Sequence, residues 1–354
     1  MQAKNLPILG IILVFGYWHV YGNPSEPVRY FYPYGNYIRK FEQKIKPQVE
    51  QVTLQAKESF DSDAKINRKG ILVRYPNAQA NVVICHGFMC DKFDVGFLRQ
   101  IFPIGKYNFL TFDFRAHGED TQGQCCTFGR DEANDVIAAA NYFKQHSELS
   151  KLPTLVYAFS MGAVASIEAQ AKDSSLFKAM ILDCPFDSTE NIVKKALQNL
   201  KFSFFGYQFD LPGRQYLEKY AFHPYVQSFI KVLLKTVPHI DAKNIKTYMY
   251  RFSPSLSITK INVPCLFIHC KHDQRVEVDA IHTLYNGAQG PKRLWVTEGR
   301  GHYDSIFYNP EKYAKQVSKF FDMVLDGRIF KGPREKITED IIPEQEKQQS
   351  VAKG

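Results

Sequence analysis

From about Val52 to Leu325, short apolar runs of strand length alternate with amphipathic stretches of helix length, and this alternation constrains the fold more than any other feature. The runs are Gly70–Arg74, Ala80–Cys85, Phe109–Phe114, Leu152–Phe159, Ala179–Asp183, Val263–His269 and Arg293–Thr297. Several are apolar almost throughout, as strands covered on both faces must be. Between them, Asp131–His146 lines Val136, Ile137, Ala140 and Phe143 along one helical face, and Pro310–Leu325 does the same with Tyr313, Val317, Phe320 and Phe321. Strands and helices in this order predict a mostly parallel sheet wrapped by helices, an α/β fold. The first two runs, joined across Pro76-Asn77, read as a strand pair. With 354 residues, 45% of them hydrophobic, the chain can bury one large core and still carry an insertion.

The alternation fails in one place. Residues 188–250 hold no convincing strand but carry Phe202, Phe204, Phe205, Tyr207, Phe209, Tyr216, Tyr220, Phe222 and Tyr225 among lysines. A stretch of this length is too long for an ordinary crossover and predicts a helical cap. Residues 331–354 are charged and Gln-rich, and read as a disordered tail. At the other end, Lys4 precedes the uncharged run Leu6–Trp18, which suits the apolar part of a secretory signal. The aromatic end at Trp18 and Tyr21 suits an interfacial anchor equally. Residues 1–22 are therefore expected to export the chain or to attach it to a membrane through residues 5–21. Residues 23–69 then form a connector and a first strand region, and 70–187 with 251–330 form the core.

The net charge of +9 is spread along the chain without a long Lys/Arg block, so no nucleic-acid partner is expected. The seven cysteines show no zinc spacing and no C-x-x-C motif, and their odd number argues against a fully paired disulfide framework.

The sharpest chemical signal is Ala158-Phe-Ser160-Met-Gly162, placed after a strand-like run and before a helix-like one. The pattern G-x-S-x-G marks a sharp turn that lifts a serine oxygen above a sheet. Ala158 departs from its first position by one methyl. A serine hydroxyl needs a base to remove its proton. His302 stands in the glycine-rich loop Gly299–His302 after the last strand-like run, and His272 is its main rival. His86 follows an early strand and would shape the oxyanion loop, and His117 suits a structural loop after the next strand. The base in turn needs a carboxylate to fix its tautomer. Asp273, just past the run ending at His269, is preferred; Asp183 is the alternative, and Asp304 reads as a loop hydrogen bonder.

Taken together, His86-Gly87-Phe88, Asp113–Gly118, Ala158–Gly162, His272–Val276 and Gly301-His302 resemble the motifs of α/β-hydrolases of the esterase, lipase and prolyl-aminopeptidase-like type, in order over residues 70–325. The resemblance implies an eight-stranded, mostly parallel sheet with a helical cap. It also implies an oxyanion hole made by the backbone N–H groups of Phe88 and Met161. The expected activity is hydrolysis of a small-molecule carboxylic ester or thioester through an acyl-enzyme on Ser160. Such chemistry needs neither a metal nor an organic cofactor, and none is expected. Two alternatives stay open: a serine peptidase or acyltransferase on the same scaffold, and a catalytically silent, membrane-tethered binding protein.

Overall fold

Strand burial follows the sequence pattern closely. In β1 (Gln48–Lys57) only Val52, Leu54 and Ala56 are buried, an alternation that fits a strand with one face in solvent. β2 (Lys65–Arg74) alternates along its first half. β3 (Ala80–Cys85) and β4 (Tyr107–Phe112) are buried at every position, β5 (Thr154–Phe159) at every position after Thr154, and β6 (Met180–Asp183) and β9 (Cys265–Cys270) throughout. β10 (Lys292–Thr297) is buried at four positions of six. These eight form one sheet in the order β1-β2-β4-β3-β5-β6-β9-β10. β1 and β2, and β2 and β4, pair antiparallel; every other pair is parallel. The fold is that of an α/β-hydrolase. The computed structural model describes residues 46–59, 62–198, 201–204, 207–210, 213–228, 245–328 and 336–337. The expected signal or anchor, residues 1–22, lies outside them. Among the described residues no helix is long and apolar enough to cross a membrane.

Each face of the sheet has its own core. On one face pack α1 (Glu132–Gln145), α2 (Met161–Lys172) and, from later in the chain, α5 (Val278–Gly287), through Val136, Ala140, Phe143, Ala163, Ile167, Ile281 and Leu284. On the other, α6 (Pro310–Leu325) buries Tyr313, Val317, Phe320 and Phe321, the face read from its periodicity.

Three sequence expectations are corrected. Gly70–Arg74 and Ala80–Cys85 are not partners, because β4 lies between them: Gly70 faces Phe112, and Ala80 faces Tyr107. Strand order is a long-range property to which the short Pro76-Asn77 link is indifferent. The cap is not all helix. Besides α3 (Thr189–Gln198) and α4 (Arg214–Tyr220) it contains an antiparallel pair, β7 (Lys201–Phe204) and β8 (Tyr207–Asp210). Their sequences, Lys-Phe-Ser-Phe and Tyr-Gln-Phe-Asp, alternate aromatic with polar residues at the period of a strand. Within the segment read as a disordered tail, β11 (Lys336–Ile337) pairs in parallel with β10, so that reading does not hold for these two residues. Backbone pairing of this kind leaves no mark on composition.

The cap leaves and re-enters the core through a closed neck. Thr189 N–H donates to the Phe252 carbonyl at 3.1 Å, and Phe252 N–H donates to Thr189 Oγ1 at 3.1 Å. Ser255 N–H reaches the Asp187 carbonyl at 3.1 Å just outside it.

One buried ion pair ties three elements together. Arg115, in the loop after β4, donates from Nη2 to Asp135 Oδ1 of α1 at 2.8 Å and to the Lys57 carbonyl at the end of β1 at 2.9 Å. Both side chains are essentially inaccessible. Asp135→Ala would leave the guanidinium buried without its counter-charge, and a loss of about 3–5 kcal/mol is expected in equilibrium urea unfolding.

Candidate active site

Ser160 occupies the bend between β5 and α2 at φ 52°, ψ −124°, a conformation costing a non-glycine residue on the order of 1–3 kcal/mol. It is held there from both sides. Its N–H donates to the Asp183 carbonyl at 2.8 Å, and its own carbonyl accepts from Val164 N–H at 3.2 Å. The next turn demands a glycine. A Cβ on Gly162 would lie 2.4 Å from the His86 carbonyl oxygen and 2.6 Å from that of Cys85. Ala158, where the motif has glycine, is buried in β5 opposite Cys85, and the core absorbs its methyl.

His302 lies in the loop after β10, and its ring bridges two sequence-distant groups. Nε2 is 2.8 Å from Ser160 Oγ, and Nδ1 is 2.7 Å from Asp273 Oδ2. With Nδ1–H donating to the carboxylate, Nε2 is left to accept the serine proton. The second oxygen of Asp273 accepts N–H bonds from Arg275 at 2.8 Å and Val276 at 3.1 Å. Burial pushes the Asp273 carboxyl upward, but the charge and hydrogen bond of His302, the nearby His269 and the Val276 amide outweigh it. The carboxyl is held below its ordinary value. Ser160, His302 and Asp273 are thus brought together as one hydrogen-bonded line.

The rivals fall elsewhere. His272 is largely exposed beside Glu298, and Asp304 accepts the Arg300 N–H at 2.8 Å, as a loop hydrogen bonder does. Asp183, the alternative acid, does not bond to His302. Its carboxylate accepts from Tyr313 OH at 2.6 Å and from Cys184 Sγ at 3.1 Å. Burial pushes the Asp183 carboxyl up to about 6, against the lowering effect of those two bonds and of His302; the nearby Asp273 adds to the rise.

Behind the serine, the segment after β3 is pressed against the bend. A Cβ on Gly87 would meet the Phe159 ring at 2.9 Å and Ser160 Cβ at 3.4 Å. This segment is tied down at both ends. His86 donates from Nδ1 to the Gly87 carbonyl at 2.7 Å and accepts the Phe114 N–H on Nε2 at 3.0 Å. Lys92 gives its N–H and its ammonium to Asp113 at 2.8 and 2.7 Å. Asp113 leaves no room for a side chain at Gly118, which explains the Asp113–Gly118 motif. Phe88 follows Gly87 in a turn, and Met161 opens α2, where backbone N–H groups lack acceptors within the helix.

Cys184 Sγ, an Asp273 oxygen and a His302 nitrogen lie within 4.8 Å of one another, donors of a kind that bind metals. All three residues are committed to the hydrogen bonds just described. The cysteines among the described residues are free thiols, six of the seven buried. Sequence reasoning missed the surroundings of Asp183: Tyr157 and Tyr303 carried no motif, and Tyr313 read only as one apolar position of a helix.

Comparison with known proteins bears on the fold and the family. Residues 82–316 match the alpha/beta hydrolase family, and the chain belongs to that family. Hydrolysis is the class of activity that the family and the site together define. The chain is 27% identical over 266 residues to YqkD of Bacillus subtilis, an uncharacterised protein, covering 73% of this chain and 76% of that one. A shorter match, 27% over 77 residues, is to the probable aminopeptidase YbaC of the same organism and spans 22% of this chain and 24% of that protein. In fold, it resembles the esterase Pf2001 of Pyrococcus furiosus, with a TM-score of 0.57, 21% identity, and 79% and 93% of the two chains covered.

The Asp183 shift has a consequence for stability. The folded chain holds this proton more tightly than the unfolded one, whose carboxyl has the ordinary value of 3.8. The stabilisation is therefore full below that value and is lost as pH rises through about 6. Asp183→Asn is expected to flatten this part of the stability curve. Urea unfolding of both proteins across that window measures it.

Proposed function

We propose that the chain is a serine hydrolase that cleaves a carboxylic ester, or a thioester, through an acyl-enzyme on Ser160. The observation that carries this reading is His302 spanning Ser160 Oγ and Asp273 at 2.8 and 2.7 Å. Ser160 Oγ attacks the carbonyl carbon as Nε2 of His302 takes its proton. Asp273 holds the ring in the tautomer this requires and stabilises the imidazolium. The tetrahedral intermediate collapses, His302 returns the proton to the leaving alcohol or thiol, and a water activated by the same ring then hydrolyses the acyl-enzyme.

The developing oxyanion is assigned to the N–H groups of Phe88 and Met161. Support comes from Met161 opening α2 and from the Gly87 segment lying directly against Ser160. An ester is favoured because aromatic and aliphatic side chains, among them Phe88, Phe128, Ile192, Met249 and Phe252, belong to or pack on the core beneath the cap. The family includes hydrolases of other acyl bonds, and the short match to a probable aminopeptidase supports a peptidase as the second reading.

A fluorophosphonate probe is expected to label the protein, and Ser160→Ala to abolish labelling; labelling that survives Ser160→Ala overturns the nucleophile. Asp273→Asn should lower kcat by about 10⁴-fold, through the wrong imidazole tautomer, while Asp183→Asn costs far less. The reverse ranking would move the acid to Asp183. Comparing p-nitrophenyl esters of graded chain length with aminoacyl p-nitroanilides separates esterase from peptidase.

A further inference from the structure

The core under α6 contains a run of hydroxyls and a carboxylate that the mechanism above does not use. Leu155, Ile181, Ile268, Trp295, Val317 and Phe321 surround it. Asp183 Oδ2 accepts from Tyr313 OH at 2.6 Å, Tyr313 OH lies 2.5 Å from Tyr157 OH, and Tyr157 OH lies 3.2 Å from Tyr303 OH. Burying hydroxyls and a carboxylate in such surroundings is unfavourable unless each is bonded, and phenylalanine would fill the same space without that cost.

Both ends of the line reach the reacting pair. At one end, the Asp183 carbonyl accepts the Ser160 N–H at 2.8 Å. At the other, Tyr303 follows His302 directly in the chain. Tyr303 sits at φ 62°, an unfavourable backbone conformation that must be imposed by its contacts. Its ring stacks on Phe159 with centroids 4.0 Å apart and planes 15° apart, and Phe159 precedes Ser160.

We propose that Asp183, Tyr313, Tyr157 and Tyr303 form a positioning relay that keeps the His302 loop in register with Ser160. The proposal rests on the reading of Ser160 and His302 as the reacting pair. None of the four touches the reacting atoms; they act by fixing where the imidazole sits. The line joins β6, α6, β5 and the loop after β10, so the loop cannot shift without straining the part-buried Tyr157–Tyr303 hydrogen bond. Asp183 also contributes its charge. The ionisable groups around it are Tyr313 from α6, Tyr157 from β5, Cys184 next in the chain, Tyr303 and His302 from the loop, and Asp273 beyond β9. Ionisation of Asp183 changes the acceptor that Tyr313 bonds at one end of the line.

The test is the rate constant for fluorophosphonate labelling as a function of pH, with melting temperature and labelled fraction measured alongside. Tyr157→Phe and Tyr303→Phe keep the rings and remove only the hydroxyls. Each is expected to slow labelling by about tenfold, within what a displacement of under about 1 Å produces, with the melting temperature and labelled fraction little changed. Asp183→Asn keeps an acceptor for Tyr313 but cannot ionise, and should flatten the change in labelling rate near pH 6, where Asp183 exchanges its proton. A merely structural role would leave the shape of the profile in place.

Wild-type rates in both Phe variants, a slowing matched by an equal loss of labelled fraction, or a wild-type profile shape near pH 6 in Asp183→Asn would each overturn the relay. If Asp183→Asn does not fold, the two Phe variants decide. Wild-type protein that takes no label at Ser160 would instead remove the reading on which the relay rests, so the two failures are told apart.

Discussion

Everything at the site depends on how closely α2 approaches the segment leaving β3. The carbonyls of Cys85 and His86 come so near Gly162 that no side chain fits between them. That contact lets the chain turn within one residue from the end of β5 into α2, and it leaves Ser160 as the residue that carries the strain. The hydrogen bond from Ser160 N–H to Asp183 fixes the bend against the neighbouring strand. The same approach presses Gly87 onto Ser160, so nucleophile and oxyanion candidates are set by one packing event rather than assembled separately.

Two carboxylates stand at the ends of adjacent strands, and their environments push them in opposite directions. Asp273 lies in the turn beyond β9, where the amides of Arg275 and Val276 point at one oxygen and His302 at the other. Those donors keep it ionised despite burial. Asp183 is still within β6, and its donors are a phenol and a thiol, so burial prevails. Strand position alone made either residue an acceptable partner for the base. The amide-rich turn after Cys270, invisible to any spacing rule, separates them.

What was legible in the sequence was what repeats or what carries chemistry by residue type. The buried face of α6 followed from Tyr313, Val317, Phe320 and Phe321, because a helix that packs on a sheet must place apolar groups at helical spacing. Ser160, Asp273 and His302 stood out because each follows a strand and bears a group that the chemistry needs. Pairing was less legible. Ala80–Cys85 carries nothing to say that β4 will come between it and Gly70–Arg74, since that choice is made by contacts far apart in the chain. The β7–β8 pair hid among aromatic residues that also suit helices, although its period of two was present. The hydroxyls of Tyr157, Tyr303 and Tyr313 were the least legible feature: a pattern of apolar positions does not distinguish tyrosine from phenylalanine, and only the packed core brings the three oxygens together.

The neck at Thr189 and Phe252 brings the two stems of the cap together, and backbone bonds of Cys126 with Lys246 and Tyr248 tie its returning limb to the core as well. Ser160, Asp273 and His302 are each seated outside the cap, on ground that the sheet and its flanking helices define. A change of length in the cap between these ties would therefore leave the places of Ser160, His302 and Asp273 to be set by the core alone.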